Sequence, residues 1–570
     1  MTILAANSFL EDLALVLCVA AVTTVLFEGL RQPVVVGYLL TGMIVGPYTP
    51  GILVDAARIH DVSELGVILL MFALGLEFSI RRLLRLGPRA AFVTAVQVGL
   101  MLWLGYICGR ALGWSVLTSI FTGALLSISS TTIVAKAFAE QQVGAGLREL
   151  ALGVLLCEDL VAVIMLAVLT PLGAGASFNT VDLEWTGARL AIYLVATVGG
   201  GILLIPPLVR FVVRMRRDEV LLVASLAICF AFAMEAERAG YSVALGAFLA
   251  GSLVAESGEA ERLFELIRPL RDTFAAVFFV SVGMMIDPRL IAAHWHALAL
   301  LTVVLIGGKV VGVTIGAMLS GTTAALAVQT GFCLAQIGEF SFIIAGVGIS
   351  TGAADSFLYS VAVAISAVTT FTTPFMIRVS VPVASMVERR APHALGRLQQ
   401  VYDAWVERVS AGQGVAGARP GIGAPVFLLA AGALCVAAAV IAIDVAARPI
   451  ELILVARGID RSHAATAAAL LGMAVAAFGM ALMLFGARNL AARLAVHRLP
   501  DGHGTLQDWE RGVMMQILQL AIMICCGLLL LAILQPFLQL REGIAILALM
   551  MVAIIVVLWH GARRVAGVER

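Results

Sequence analysis

Charge is scarce in this sequence. Of 570 residues only 13% are Asp, Glu, Lys or Arg, and 61% are hydrophobic. A soluble domain carries about 25% charged residues, so an ordinary water-soluble globule is excluded. The formal net charge is +1 and no basic cluster looks like a polyanion site, so no nucleic-acid partner is expected. Eight cysteines (Cys18, Cys108, Cys157, Cys229, Cys333, Cys435, Cys525, Cys526) lie scattered in apolar stretches. None has metal-ligand spacing or an obvious pairing loop, which leaves them as small apolar packing residues. The N-terminus lacks a cationic start and a small-residue cleavage site, so residues 8–30 read as a retained helix rather than a removed leader. Lysine is nearly missing: among 37 basic residues only Lys136 and Lys309 are not arginine.

Long apolar runs are what the sequence does have, each near the roughly 20 residues that span a bilayer. Hydropathy predicts spans near 8–30, 33–50, 61–80, 89–112, 115–140, 148–171, 187–214, 219–237, 241–256, 268–286, 292–319, 323–349 and 356–379. A polar stretch follows, "ERRAPHALGRLQQVYDAWVERVSAGQGVAGARPGIG", then four more spans near 425–446, 463–487, 512–535 and 540–562. Arginine and lysine collect after odd-numbered spans (Arg81, Arg82, Arg85, Arg89; Lys136, Arg148; Arg210, Arg214, Arg216, Arg217; Arg262, Arg268, Arg271). The positive-inside rule therefore puts the N-terminus outside and the linker and C-terminus in the cytoplasm.

The chain also resembles itself. "PVVVGYLLTG" places Gly37 and Gly42 five apart, and "YSVALGAFLAG" places Gly246 and Gly251 five apart at an offset of 209. "LLMFALGLEFSIRRL" and "AVFFVSVGMMIDPRL" align Gly75 with Gly283 and Arg81 with Arg289 at an offset of 208. The shift moves span number by an odd count, so the two copies enter the membrane from opposite sides. Inverted repeats of this kind are the architecture of secondary transporters, with binding at mid-membrane where broken helices meet.

Two interruptions fall at that depth. Span five carries Ser127, Ser129, Ser130, Thr131 and Thr132 in "FTGALLSISSTTIVAKAF". Adding 208 to Ser130 reaches Gly338 in "CLAQIGEFSF", in the middle of span twelve. Irregular backbone is tolerated there only beside protein or water, and its freed carbonyls and helix ends can hold a cation. The other outcome is hydroxyls that back-bond within straight helices. Between these stretches, "GVLLCEDLVAVIML" sets Glu158 and Asp159 side by side, at a cost of about 2.5–3.5 kcal/mol per charge at the bilayer centre. On a helix they project about 100° apart, so one can face a cation cavity while its neighbour faces another helix. A carboxylate so placed takes a proton or a small cation but not both well, and alternating access at such a site is exchange. Lys309 is mid-span in "LLTVVLIGGKVVGVTIGAML"; unlike arginine, a buried lysine can give up its proton. Lys136 sits near a helix end with Glu140 one turn on, and is expected to snorkel to the interface. Glu339 either lines the cavity or serves as a structural acid.

The motifs "RQPVVVGYLLTGMIVGP", "LLMFALGLEFS", "SISSTTIVAK", "GVLLCEDLVAV", "ALGAFLAGSLVAES", "LRDTFAAVFFVSVGMMID" and "AQIGEFSF" resemble the monovalent cation:proton antiporter-2 family, which includes the Kef-type potassium-efflux proteins. The resemblance covers about residues 8–380. It implies two crossed, locally unwound helices, dimerisation and an elevator-like movement. By position, Asp159 resembles the essential cation/proton carboxylate, with Glu158 at the variable preceding position. Thr131 and Thr132 correspond to the first unwound segment, Gln336 to Glu339 to the second, and Lys309 to the lysine paired with the carboxylate site. An acid at the preceding position implies an electrogenic cycle. "GVAGARPGIG" follows no strand pattern and opens no amphipathic helix, so nucleotide gating is not carried over and no cofactor is expected.

The expectation is therefore an all-α polytopic membrane protein, a 13-helix inverted-repeat cation/proton antiporter fold with about four added C-terminal helices, and not an enzyme. Residues 1–385 are the exchanger (repeats about 8–171 and 219–379), 386–424 a cytoplasmic linker, and 425–570 a membrane domain of no assigned role. The expected activity exchanges K⁺ or Na⁺ for H⁺ across a bacterial inner membrane, in a homodimer. The cation/proton site comprises Asp159, Glu158, Thr131, Thr132 and Ser130, with Lys309 as ion-pair partner and Gln336, Gly338 and Glu339 in the second break. The alternatives are a sodium-coupled organic-anion carrier and a gated potassium channel. His294, His296, His393, His497 and His503 read as solvated loop residues, and Asp444 and Glu451 as interfacial.

Overall fold

The computed structural model describes residues 9–390, apart from 31–32, 50–55, 79, 142 and 175–179, and parts of 424–436, 475–493 and 515–531. Over 9–390 every regular element described is helical. In chain order these are α1 (Phe9–Gly29), α2 (Val34–Val45), α3 (Ala56–Glu77), α4 (Ile80–Ala111), α5 (Val116–Ser127), α6 (Thr131–Gln141), α7 (Ala145–Gly173) and α8 (Thr180–Val213). There follow α9 (Asp218–Arg238), α10 (Val243–Val254), α11 (Ala260–Met284), α12 (Pro288–Ala293), α13 (Trp295–Leu319), α14 (Ala324–Cys333), α15 (Phe340–Ser350) and α16 (Ser356–Arg390). Among the described residues nine helical runs are long and apolar enough to cross a bilayer, and α2, α14 and α15 are shorter apolar helices. Each of the thirteen predicted spans up to residue 379 meets a helix or a broken helix pair. Of the last four predicted spans, 540–562 lies outside the described residues and the others are described only in part.

Some boundaries differ from those read by hydropathy. The span predicted at 89–112 is the apolar stretch Arg89–Ala111 of a longer helix that begins at Ile80. Spans predicted at 241–256 and 268–286 are α10 and α11, joined by one π turn over Ala255–Glu259 in which Gly258 has φ 89°. A hydropathy window rejects the charged first turns of α11, yet their charges are offset locally. Arg262 pairs with Asp218, Arg268 with Glu265, and Arg271 with Asp272 while lying 4.9 Å from the Phe264 ring.

Packing divides the chain into two units. The larger holds Met1–Ala91, Cys108–Gly307 and Phe332–Arg378; the smaller holds Phe92–Ile107, Gly308–Gly331 and Val379–Arg570. Within the larger unit α3 packs on α10 and α11, α2 on α1 and α11, and α10 on α9, while α5, α7 and α15 pack together with α6 on α7.

Glycine makes the first of these groups tight, and in a pattern that follows the repeat. A Cβ on Gly283 would meet the Gly42 Cα at 2.9 Å, and one on Gly251 would meet the Gly75 Cα at 2.8 Å. The offsets that carry Gly42 to Gly251 and Gly75 to Gly283 turn one contact into the other. Small residues let helix backbones approach where lipid supplies no hydrophobic drive. The same pair of crossings is thus made twice, once by each copy's glycines in exchanged roles.

Candidate functional site

Span five breaks where its sequence offers the backbone other partners. α5 starts on a Ser115 cap, whose hydroxyl accepts from the Thr118 amide at 3.0 Å, and ends at Ser127. Ile128 is extended (φ −101°, ψ 133°), the conformation a β-branched residue favours. Helix resumes at Thr131, because the Ser130 hydroxyl accepts from the Ile133 amide at 3.3 Å, as an N-cap does. Thr131 and Thr132 therefore form the first turn of α6 rather than the unwound segment, which is Ile128–Ser130. The second break runs from Leu334 to Glu339, between α14 and α15, and contains Gln336, Gly338 and Glu339.

Backbone groups without a helix must be satisfied where water is absent, and the two breaks satisfy one another. The Gly338 amide donates to the Ile128 carbonyl at 2.9 Å. The Ser129 hydroxyl donates to the Leu334 carbonyl at 3.0 Å, and the Gln336 side-chain amide to the Ser130 carbonyl at 3.3 Å. The Ser341 hydroxyl donates to the Leu125 carbonyl. At Ile337 the amide donates to the Thr369 hydroxyl of α16 at 3.5 Å. Any side chain at Gly338 would press into the Ser129 carbonyl, so glycine is what permits the crossing.

Carboxylates gather here. Glu158 is fully buried and accepts from the Ser129 amide at 2.7 Å. Asp159, 3% exposed, accepts from the Thr131 hydroxyl at 3.2 Å. Glu339, half-buried, accepts from the Ser130 hydroxyl at 2.8 Å and the Thr132 hydroxyl at 3.3 Å. It precedes the first turn of α15, and a carboxylate at a helix N-terminus is stabilised by about 0.3–1 kcal/mol. Thr131 opens α6, so Asp159 also faces a positive helix end. Glu339, Glu158 and Glu77 all act electrostatically on Asp159. Like charges this close repel unless a proton or a cation sits among them.

Ser130, Thr131, Thr132, Glu158, Asp159, Gln336, Gly338 and Glu339 thus come together in the larger unit. Lys309 belongs to the smaller unit, on α13, and is fully buried. Sequence reading placed Ser129 in the first break without its backbone contact to Glu158, and missed two participants, Thr369 and Glu77. Only Glu77 left a signal, as an acid closing the apolar "LLMFALGLEFS". Lys136 pairs with Glu28 of α1 at 3.0 Å; the side chain of Glu140, its expected neighbour, lies outside the described residues. His294 is not a freely solvated loop residue: its ring stacks on Phe357 at 4.7 Å.

With this geometry in hand, residues 14–380 match the sodium/hydrogen exchanger transmembrane family. The chain belongs to that family, and it is a multi-pass membrane protein. It is 36% identical to YbaL of Escherichia coli K12 over 344 residues, covering 59% of this chain and 62% of that one. It is 29% identical to K(+) efflux antiporter 5 of Arabidopsis thaliana, covering 65% of this chain and 66% of that one. With the K(+)/H(+) antiporter subunit KhtU of Bacillus subtilis the identity is 30%, over 59% of this chain and 85% of that one. The chain spans less than two thirds of the length of YbaL and of the plant protein. In fold it is similar to the sodium proton antiporter MjNhaP1 of Methanocaldococcus jannaschii. The TM-score is 0.52 at 14% identity, over 67% of this chain and 98% of that one.

Proposed function

We propose that this chain exchanges a monovalent cation, K⁺ or Na⁺, for protons by alternating access at Asp159, and that it is not an enzyme. The observation that carries this is the meeting of two helix breaks around a buried carboxylate ligated by a hydroxyl. Asp159 is the exchanged carrier, and Thr131 and Thr132 supply hard oxygen donors of the kind alkali cations prefer. Glu158 anchors the first break through Ser129 and adds the negative charge that makes the cycle electrogenic. Glu339, Gln336 and Gly338 hold the second break against the first. Lys309 is the amine that offsets the carboxylate charge when no cation is bound.

Three acids acting on Asp159 favour cations and repel an organic anion, which argues against the anion carrier. Burial of both Glu158 and Asp159 argues for an occluded carrier site rather than an open pore. We assign residues 1–385 to exchange, 386–424 to a cytoplasmic linker and 425–570 to a C-terminal membrane domain. The protein resides in a bacterial inner membrane as a homodimer, N-terminus outside and C-terminus cytoplasmic; the arginine pattern supports the orientation. The test is Asp159→Asn in everted vesicles. Cation-dependent proton movement is lost while membrane insertion stays normal; unchanged exchange rejects the carrier role.

A further inference from the structure

The smaller unit holds parts of α4 and α13 together with the C-terminal region. Its α4 segment is gripped on one face by glycines of α13 spaced four apart. A Cβ on Gly316 would meet the Val93 Cα at 3.1 Å and the Val96 Cβ at 3.4 Å. On Gly312 it would meet Leu100 at 3.1 Å and the Gln97 Cα at 3.3 Å, and on Gly308 the Met101 sulfur at 2.7 Å. α4 and α13 therefore sit close along two turns, so that an added methyl group at any of these glycines would have to displace a neighbour. Lys309 is the residue after the first of these glycines and is fully buried.

Against Val96 packs a helix from far along the chain, Leu518–Leu528. Its Leu520, Ile524 and Leu528, one stripe at a spacing of four, are buried with Val96, and Phe92, Leu100 and Leu319 close around them. Leu319 is the last residue of α13. The C-terminal helix thus touches α4 and α13 together, bridging the pair whose glycine contact adjoins Lys309.

We propose that the Leu518–Leu528 helix acts as an intramolecular brace whose Leu520–Ile524–Leu528 stripe fixes α4 against α13 and so positions Lys309. Lipid tails are as apolar as leucine, so this contact adds no hydrophobic drive; what it contributes is fixed packing. Losing it leaves α4 and α13 inserted but free to shift against each other, and Lys309 with them. The stripe is a positioning element and touches neither cation nor proton. The proposal rests on the reading of Lys309 as the site's amine.

The test uses the full chain in proteoliposomes. Leu520→Ala/Ile524→Ala/Leu528→Ala shifts the apparent cation KM by about fivefold, the low end of coupling between distant sites, and moves the pH profile. Maximal turnover falls far less. Restoring bulk with Leu520→Met/Ile524→Val/Leu528→Met brings both back, whereas Phe427→Ala, at a side chain 71% exposed, leaves them unchanged. Unaltered KM and pH profile in a normally inserted triple-alanine variant overturn the proposal. A second measurement is independent of transport: Val96→Cys with Ile524→Cys, in a chain whose other cysteines are replaced by alanine, cross-links on oxidation. Failure to cross-link also overturns it. Retained exchange in Asp159→Asn would instead strike the site reading, leaving the cross-link result intact.

Discussion

The two helix breaks hold corresponding places in the repeat but are built from different materials. Ile128–Ser130 contains no glycine; it has two serines, and its acids come from α7. Leu334–Glu339 carries a glycine, an amide and an acid of its own. One break offers hydroxyls and carbonyls and the other answers with Gly338, Gln336 and Glu339, so neither is satisfied alone. The difference teaches that duplication fixed where the chain leaves helix geometry, whereas the chemistry of each break was set by its partner. The glycine crossings in the rest of the larger unit behave in the opposite way: Gly42–Gly283 and Gly251–Gly75 are the same contact twice. Contacts that only pack have stayed alike, and contacts that surround the acids have diverged.

The asymmetry can be broken most severely at Gly338. Gly338→Ala drives a methyl group into the Ser129 carbonyl and separates the breaks. An overpacking cost of up to about 3 kcal/mol corresponds to a loss of exchange near 100-fold, read in vesicles at matched expression. Ser130→Ala comes next, because it removes both the cap on α6 and the donor to Glu339. Its cost of about 1–2 kcal/mol lowers exchange roughly tenfold, and Ser130→Thr, which keeps the hydroxyl, recovers most of it.

Glu158→Gln sharpens the comparison. The glutamine oxygen still accepts from the Ser129 amide, so the first break stands while one charge is gone. Exchange continues but loses sensitivity to membrane potential, where a translocated charge is worth about 2.3 kcal/mol per 100 mV. Voltage dependence identical to that of the parent would make Glu158 a hydrogen-bond acceptor only. The smallest effect belongs to Thr132→Val, since Thr132 is exposed and its 3.3 Å contact to Glu339 is long. A change of about twofold is expected from one weak hydrogen bond.

Much of this was legible in the chain. Serine and threonine at one interruption and glycine at the other marked both breaks. The 208–209 offset marked their pairing, because repeats leave periodic traces. Adjacent acids in an apolar run marked α7. Other features depend on contacts between distant residues and leave no local pattern. The Ser129 amide that meets Glu158 looks like any other amide in sequence, and the Lys136–Glu28 pair joins residues 108 apart. Thr131 and Thr132 were misplaced because a cap is a hydrogen bond to a later amide, and composition cannot say which of four consecutive hydroxyls makes it. The polar start of α11 was missed for a related reason: its charges are cancelled by Asp218 and Asp272, which a hydropathy window counts only as further charge.

Competition between proton and cation for Asp159 is the centre of the account, and the pH dependence of the apparent cation KM measures it directly. In proteoliposomes with K⁺ and with Na⁺, KM should rise by about tenfold per pH unit on the acid side, as the deprotonated fraction falls. Maximal turnover at saturating cation should change little over the same range. A cation KM that stays constant across that range would contradict the account.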